Sequence, residues 1–288
     1  MILAPLRGVT IRCFRETFAE AIREAGFTEA ITPFITATPG FDPLKDRELR
    51  ATASQIRTTP QFIGKDPKAL RTCLERVKAA GCETADLNCG CPFPMVRNKG
   101  RGSGILRTPD VLRQMMEVGC EVMGPVRFSV KTRLGVERHD ELIGLMPLIN
   151  LFPLRFLTVH ARTAKQMYDG DCDVEMFEEV RKVSVVPVVY NGDVPFPPRP
   201  SGQGPGQAEG SLMVGRSFIR HLGTREDIGE LLDRYMAAST EELCGERSVL
   251  GRMKELLAYW KDLPQWTRRW PVLKLARSLD ELRAVTRG

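Results

Sequence analysis

Eight short runs rich in apolar and β-branched residues recur up to about residue 220: MILAPL, AITPFITA, TPQFIG, TADLNCG, VRFSVKTRL, RFLTVHAR, VPVVYNG and SLMVGRSFI. Most are followed by a stretch with helical periodicity, such as DPKALRTCLERVKAAG, which puts Leu70, Cys73, Leu74 and Val77 on one face and ends on glycine. Parallel strands need a crossover long enough to hold a helix, so this alternation is the pattern of an α/β parallel sheet. Eight units favour closure into a (β/α)₈ TIM barrel, with an open doubly wound sheet as the alternative.

Two intervals depart from the pattern. VPFPPRPSGQGPGQAEG (194–210) is too rich in proline and glycine for a regular helix, so a barrel helix is expected to be absent or reduced there. Beyond Thr224 the chain is helical without strands. Val249, Leu250, Met253, Leu256, Leu257 and Trp260 share one face, LPQWTRRWP interrupts, and Val272, Leu275, Ala276, Leu279 and Leu282 resume the period. Residues 1–223 are therefore expected to form the barrel, and 224–288 a small all-α domain.

The 288 residues are 42% hydrophobic and 27% charged, which excludes disorder as the default. No run approaches the roughly 18 apolar residues of a membrane span, and nothing at the N-terminus reads as a signal peptide, so a cytoplasmic location is expected. Eight scattered cysteines suit a reducing compartment better than a disulfide framework. Cys89 and Cys91 are spaced too closely for a zinc pair, and with only three histidines in the chain no metal site is expected. Net charge is +6, and from Arg247 onward ten basic residues face four acids, so the tail carries the whole excess. That suits a polyanionic partner without requiring one.

In a TIM barrel the binding and catalytic groups sit at the C-terminal ends of the strands. Those ends carry Pro5, Gln61, Asn88, Cys91, Lys131, Arg133, His160, Arg162, Asn191, Gly192, Asp193, Gly215 and Arg216. Glycines after the seventh and eighth runs, with Arg216, suit a phosphate held by backbone N–H groups and a guanidinium. Lys131, deeper in the barrel, could stabilise a reduced, anionic flavin ring, with Gln61 and Asn88 on the ring edge. A free thiol has a pKa of about 8.5, so Cys91 is protonated at neutral pH and suits a general acid beside a hydride donor. Cys89 is expected to face the other way and pack.

With these motifs in place the chain resembles the tRNA-dihydrouridine synthase family. LAPLRGVT is similar to its flavin-binding opening, PQFIGKDP to its glutamine segment and DLNCGCPFPMV to the signature around its active cysteine. VKTRLG, VHARTAKQMY, NGD and MVGR match its lysine, histidine–arginine and phosphate segments, and GRMKELLAYW a late helix of bacterial C-type flavour. Leu6 stands where methionine is usual, and Ile11 where an acidic residue is common.

The resemblance implies that NADPH reduces FMN, whose N5 delivers hydride to C6 of a tRNA uridine while Cys91 protonates C5. Ala4, Pro5, Leu6, Gln61, Lys131, His160, Asn191, Gly192, Asp193, Gly215 and Arg216 would hold FMN. Asn88 and Arg162 would lie near the uridine, and the helical domain of a monomeric enzyme would bind tRNA. A flavin reductase of small pyrimidines, and a tRNA-binding relative without reductase activity, are the alternatives. Trp260, Trp266 and Trp270 read as packing residues rather than base-stacking platforms.

Overall fold

The computed structural model describes residues 1–50, 56–198 and 211–287. Among them lie ten strands: β1 (Ile2–Leu3), β2 (Glu29–Ile31), β3 (Ile35–Thr36), β4 (Arg57–Thr59), β5 (Gln61–Ile63), β6 (Ala85–Cys89), β7 (Phe128–Gly135), β8 (Leu157–Thr163), β9 (Val188–Asn191) and β10 (Leu212–Val214). They form one sheet in the order β3-β5-β6-β7-β8-β9-β10-β1-β2-β4, and every pairing is parallel.

The two ends of that order are halves of the same two barrel strands. β2 and β3 are separated only by Thr32, Pro33 and Phe34, and β4 and β5 only by Pro60. β2 pairs with β4, and β3 with β5. Proline has no N–H to give to a ladder, so both strands are interrupted beside one another. The seam is stitched by Thr32 N donating to Thr59 O (3.0 Å) and Gln61 N donating to Thr32 Oγ1 (3.0 Å). The sheet is thus a closed ring of eight barrel strands, and each of the eight runs holds its part of the ring.

The outer helices form as their periodicity requires. Pro67–Ala79 buries Leu70, Cys73, Leu74 and Val77, and Asp66 caps it by accepting from Lys68 N (3.0 Å), which contributes about 1 kcal/mol. After β10 the helix Arg216–Leu222 leads into Ile228–Glu242 and Glu246–Leu257. Val249, Leu250, Met253, Leu256, Leu257 and Trp260 are buried together, as their spacing predicts.

The later period does not hold: Val272 and Leu275 are exposed, while Leu273, Ala276 and Leu282 are buried. The helix Trp270–Leu273 ends after four residues, and the phase is lost before Leu279–Arg287 begins.

One continuous core joins the helical region to the barrel. Tyr235 meets Phe14 edge-on at 6.0 Å, and Arg12 bonds Glu242 at 2.6 Å. Trp260 and Trp266 are buried and donate their indole N–H groups to Ile219 O (2.7 Å) and Gly223 O (2.8 Å), so both pack; Trp270 is half-buried. Of the proline- and glycine-rich interval, 199–210 lie outside the described residues, and with them the expectation of a missing helix. No helix among the described residues is long and apolar enough to cross a membrane.

Candidate active site

All strands of the ring run the same way, so their C-terminal ends share one rim, and a cleft with two arms opens there. One arm, of about 450 Å³, is walled by Ala4, Pro5 and Leu6 after β1, Gly192 and Asp193 after β9, and Gly215 and Arg216 after β10. The other, of about 630 Å³, is walled by Phe34, Asn88, Cys91, Phe93, Met95 and Arg133. Lys131, His160, Tyr168, Arg216 and Tyr259 border both.

The glycine–arginine arm is set by backbone. Thr10 pins its β1 wall by accepting from Leu6 N (2.7 Å) and donating to Ala4 O (3.0 Å). Gly192 has φ +121°, and an added Cβ there would stand 2.7 Å from the Cys172 sulfur and 3.1 Å from His160 Cδ2. Only glycine fits that turn. Asp193, at φ +41°, is bracketed by Arg162 and by Arg216, the latter at 2.7 Å. Two guanidiniums on one carboxylate leave the arm net positive, which suits an anion.

The floor comes from four adjacent strands, β6 to β9. Asn88 pairs with Lys131 in register, and His160 with Asn191. Lys131 Nζ donates to Asn191 Oδ1 (2.9 Å), and Asn191 Nδ2 donates to Met213 O (2.8 Å), which fixes the sense of that amide. Burial, reinforced by the Arg133 charge, lowers the Lys131 pKa to about 7. Burial and the charges of Arg133, Lys131, Arg162 and Arg216 push His160 well below the ordinary histidine range, so it is neutral.

The glycine-rich segment after Cys91 shapes the thiol arm. A Cβ on Gly102 would lie 2.8 Å from Cys91 Cβ, and one on Gly104 2.2 Å from Arg97 O, so these glycines let the loop press against the cysteine segment. Ser103 donates its N–H (3.1 Å) and its hydroxyl (2.9 Å) to Cys91 O. Cys91 is 7% exposed, and burial raises its pKa against the pull of Arg133, Arg7 and Lys131. It therefore carries its proton at neutral pH. Cys89 is fully buried in the core, where burial holds its thiol protonated.

Most of the strand-end residues meet here: Ala4, Pro5, Leu6, Lys131, His160, Asn191, Gly192, Asp193, Gly215 and Arg216 in one arm, Asn88 and Cys91 in the other. Two do not reach the cleft wall. Gln61 is fully buried, its amide spanning Asp86 and Asn88. Arg162 is 2% exposed and held behind the wall by Gly170 O, the Cys172 sulfur and Asp193.

Sequence reasoning missed Tyr168, Tyr259, Glu255 and Arg7. Tyr168 lies between the guanidiniums of Arg133 (5.4 Å) and Arg216 (5.0 Å). The signal was its place in the loop after the sixth barrel strand, eight residues past His160. Glu255 and Tyr259 lie one turn apart, beside the buried stripe of the helical region, and both line the thiol arm. The Glu255 carboxylate rests on Gly8, where an added Cβ would come within 2.5 Å of it. Among the described residues no cluster of three His, Cys, Asp or Glu side chains is arranged to hold a metal.

The family model described as Dihydrouridine synthase (Dus) matches residues 2–217. The tRNA-dihydrouridine synthase B of Serratia marcescens is 25% identical over 270 residues, covering 90% of this chain and 78% of that protein. The synthase B of Escherichia coli strain K12 is 28% identical over 253 residues, covering 84% and 77%. Both relatives are of the B type, not the C type that the late helix suggested.

Among solved structures, an old yellow enzyme homologue from Zymomonas mobilis superposes with a TM-score of 0.53 at 14% identity, covering 76% of this chain and 85% of that one. Morphinone reductase in complex with tetrahydroNAD gives 0.50 at 13%, covering 76% and 83%. At such identities these two likenesses show the barrel fold alone.

Proposed function

The chain belongs to the dihydrouridine synthase family, and on that footing we propose that it reduces specific uridines in tRNA to 5,6-dihydrouridine. The observation that carries this reading is a protonated, buried thiol and a net-positive glycine–arginine arm in one cleft, with Lys131 and neutral His160 between them.

The residues present fit FMN. Gly192 and Gly215 leave backbone room for a phosphate, Arg216 supplies charge, and the Ala4–Leu6 wall and Lys131 border the space for the ring. Asn191, His160 and Asp193 complete this cofactor set. Bound FMN would supply the hydride for C6 of the uracil, and NADPH would restore it.

The protein's own groups do the rest. Cys91 gives its proton to C5 as the hydride arrives, and its raised pKa keeps that proton in place until then. Lys131 offsets negative charge at the floor. Asn88 lies against the uracil, while Gln61 and Arg162 act from behind the wall. Phe34, Phe93 and Met95 give an apolar wall for a base taken out of the RNA stack.

The helical region, 224–288, is proposed to hold the tRNA, with the enzyme working as a monomer in the cytoplasm. Several of its basic side chains are engaged internally: Arg252 with Glu242, and Arg283 and Arg287 with Asp233. Arg247, Lys261, Arg268, Lys274 and Arg277 are exposed and suited to phosphates.

The test is the absorbance spectrum of the purified protein with added FMN, then NADPH, then unmodified tRNA. A flavin band that bleaches with NADPH and returns faster with tRNA than with buffer or free uridine, with dihydrouridine in the digested tRNA, is the expected result. No flavin uptake, or recovery indifferent to tRNA, overturns the reading.

A further inference from the structure

Beneath Cys91 runs an unbroken line of side-chain hydrogen bonds. Ser129 Oγ donates to Asp86 Oδ1 (2.5 Å), and Gln61 Nε2 to Asp86 Oδ2 (2.8 Å). Asn88 Nδ2 donates to Gln61 Oε1 (2.8 Å), and Asn88 Oδ1 accepts the N–H groups of Gly90 (3.1 Å) and Cys91 (2.9 Å). Ser129, Asp86 and Gln61 are fully buried, and Asn88 is 8% exposed.

A side-chain amide can present either end to a neighbour, so something must choose. Here both ends of the line choose alike. An ionised carboxylate can only accept, which turns the Gln61 NH₂ toward Asp86 and its oxygen toward Asn88. Backbone N–H groups can only donate, which turns the Asn88 oxygen toward Gly90 and Cys91. Both lone pairs of that oxygen are then taken, and one Nδ2 hydrogen is spent on Gln61. What Asn88 has left for the cleft is a single N–H, which suits a ring carbonyl and not a ring N–H.

We infer that Asp86 is a positioning residue which, through Gln61 and Asn88, fixes both the backbone turn carrying the Cys91 thiol and the donor that Asn88 turns to the substrate carbonyl. This rests on the uridine-reducing reading for the identity of the substrate, but not for the wiring itself.

Protonation of Asp86 supplies a handle. A neutral carboxyl can donate as well as accept, and the line loses its fixed sense. Burial raises the Asp86 pKa to about 6, opposed by the bonds from Ser129 and Gln61 and by Lys131. The charged or titratable groups facing it are Lys131 on β7, Glu29 on β2 and the Cys89 thiol on its own strand; Glu29 is itself held by Arg155 at 2.6 Å.

The experiment uses the FMN-loaded protein, tRNA turnover against pH, and peptide-resolved alkylation of Cys91 by iodoacetamide. Wild-type kcat should fall as pH drops through about 6, and Asp86→Asn should lower kcat at pH 7 by about tenfold, leave KM for tRNA within about twofold and abolish that acid limb. The alkylation rate should change in Asp86→Asn and in Gln61→Met, and the double variant should match Gln61→Met instead of adding the two effects. An unchanged acid limb in Asp86→Asn, or additive alkylation effects, overturns the inference. Should Asp86→Asn fail to fold, Ser129→Ala removes only a donor to the carboxylate and should move the limb to higher pH; an unmoved limb counts equally against it. If wild type reduces no tRNA uridine, the reaction assigned above falls, and the alkylation cycle alone still decides the wiring.

Discussion

The two arms of the cleft are built by opposite means. The glycine–arginine arm has its charges at the surface of the cavity, Arg216 and Asp193 facing each other across 2.7 Å, and its shape depends on backbone that no larger residue could adopt. The thiol arm sets the apolar side chains of Phe34, Phe93 and Met95 and a protonated thiol beside Arg7, Arg133 and Glu255, and a second set of polar groups lies underneath, in the line from Ser129 to Asn88. An anion needs exposed donors and room for close approach. A neutral ring that must receive one proton at one atom needs a fixed donor and little else. The contrast separates gripping from chemistry, so damage to one arm should leave the other's work measurable.

The sharpest break is at the thiol. Cys91→Ala should slow tRNA-dependent flavin reoxidation by about 10²–10⁴-fold, the usual worth of a positioned acid, while the bound-flavin spectrum stays as in wild type. Next is the turn of the other arm. Gly192→Ala forces an L side chain to φ +121° against the Cys172 sulfur, and FMN affinity measured by fluorescence quenching should fall by about 10- to 100-fold. Cys91 alkylation of the apoprotein should be unchanged in that variant, and a large change there would mean the arms are not separable.

Lys131, between the arms, should show itself through pH. Its pKa is about 7 in the free protein, and an anionic cofactor raises it. The added affinity is therefore complete below about pH 7 and declines as pH rises through the higher pKa of the bound state. Titration of the reduced cofactor between pH 6 and 9 should show that decline, and Lys131→Met should flatten it. Smallest is Tyr168→Leu, which removes two cation–π contacts of about 0.5–1 kcal/mol each. It should raise KM for tRNA and Kd for FMN by only a few-fold together, because the ring borders both arms.

Much of this was legible in the sequence because a barrel turns strand order into spatial order. Once eight runs were read as a ring, the residues at their ends, from Pro5 to Arg216, had to share a rim. The interruption of two strands was not legible. Pro33 and Pro60 look like local turn signals until their positions prove to be neighbours across the same seam. Tyr259 and Glu255 are hidden for a related reason: they flank the helical stripe and face a cleft whose other walls come from earlier in the chain, from Pro5 to Arg216. Residue type suggests Gln61 and Arg162 as ligand contacts, but says nothing of the protein partners each also has: Asp86 and Asn88 for one, Gly170 and Asp193 for the other. Val272 and Leu275 were misplaced because a period carries no information past the point where its helix ends.

β1 pairs on one side with β10, Ile2 with Met213 and Leu3 with Val214, across nearly the whole length of the barrel's chain. The glycine–arginine arm sits on that join, with Ala4 to Leu6 from the first strand and Gly215 and Arg216 from the last. During synthesis the first strand must wait for the last to emerge before the ring can shut, and so distant a contact is slow to form. A cofactor seated there would tie the chain's beginning to the end of its barrel and oppose reopening by RT ln(1 + [L]/Kd). Loss of the cofactor should then show first as proteolytic nicking near the join of β1 and β10, well before any change in the far wall of the barrel.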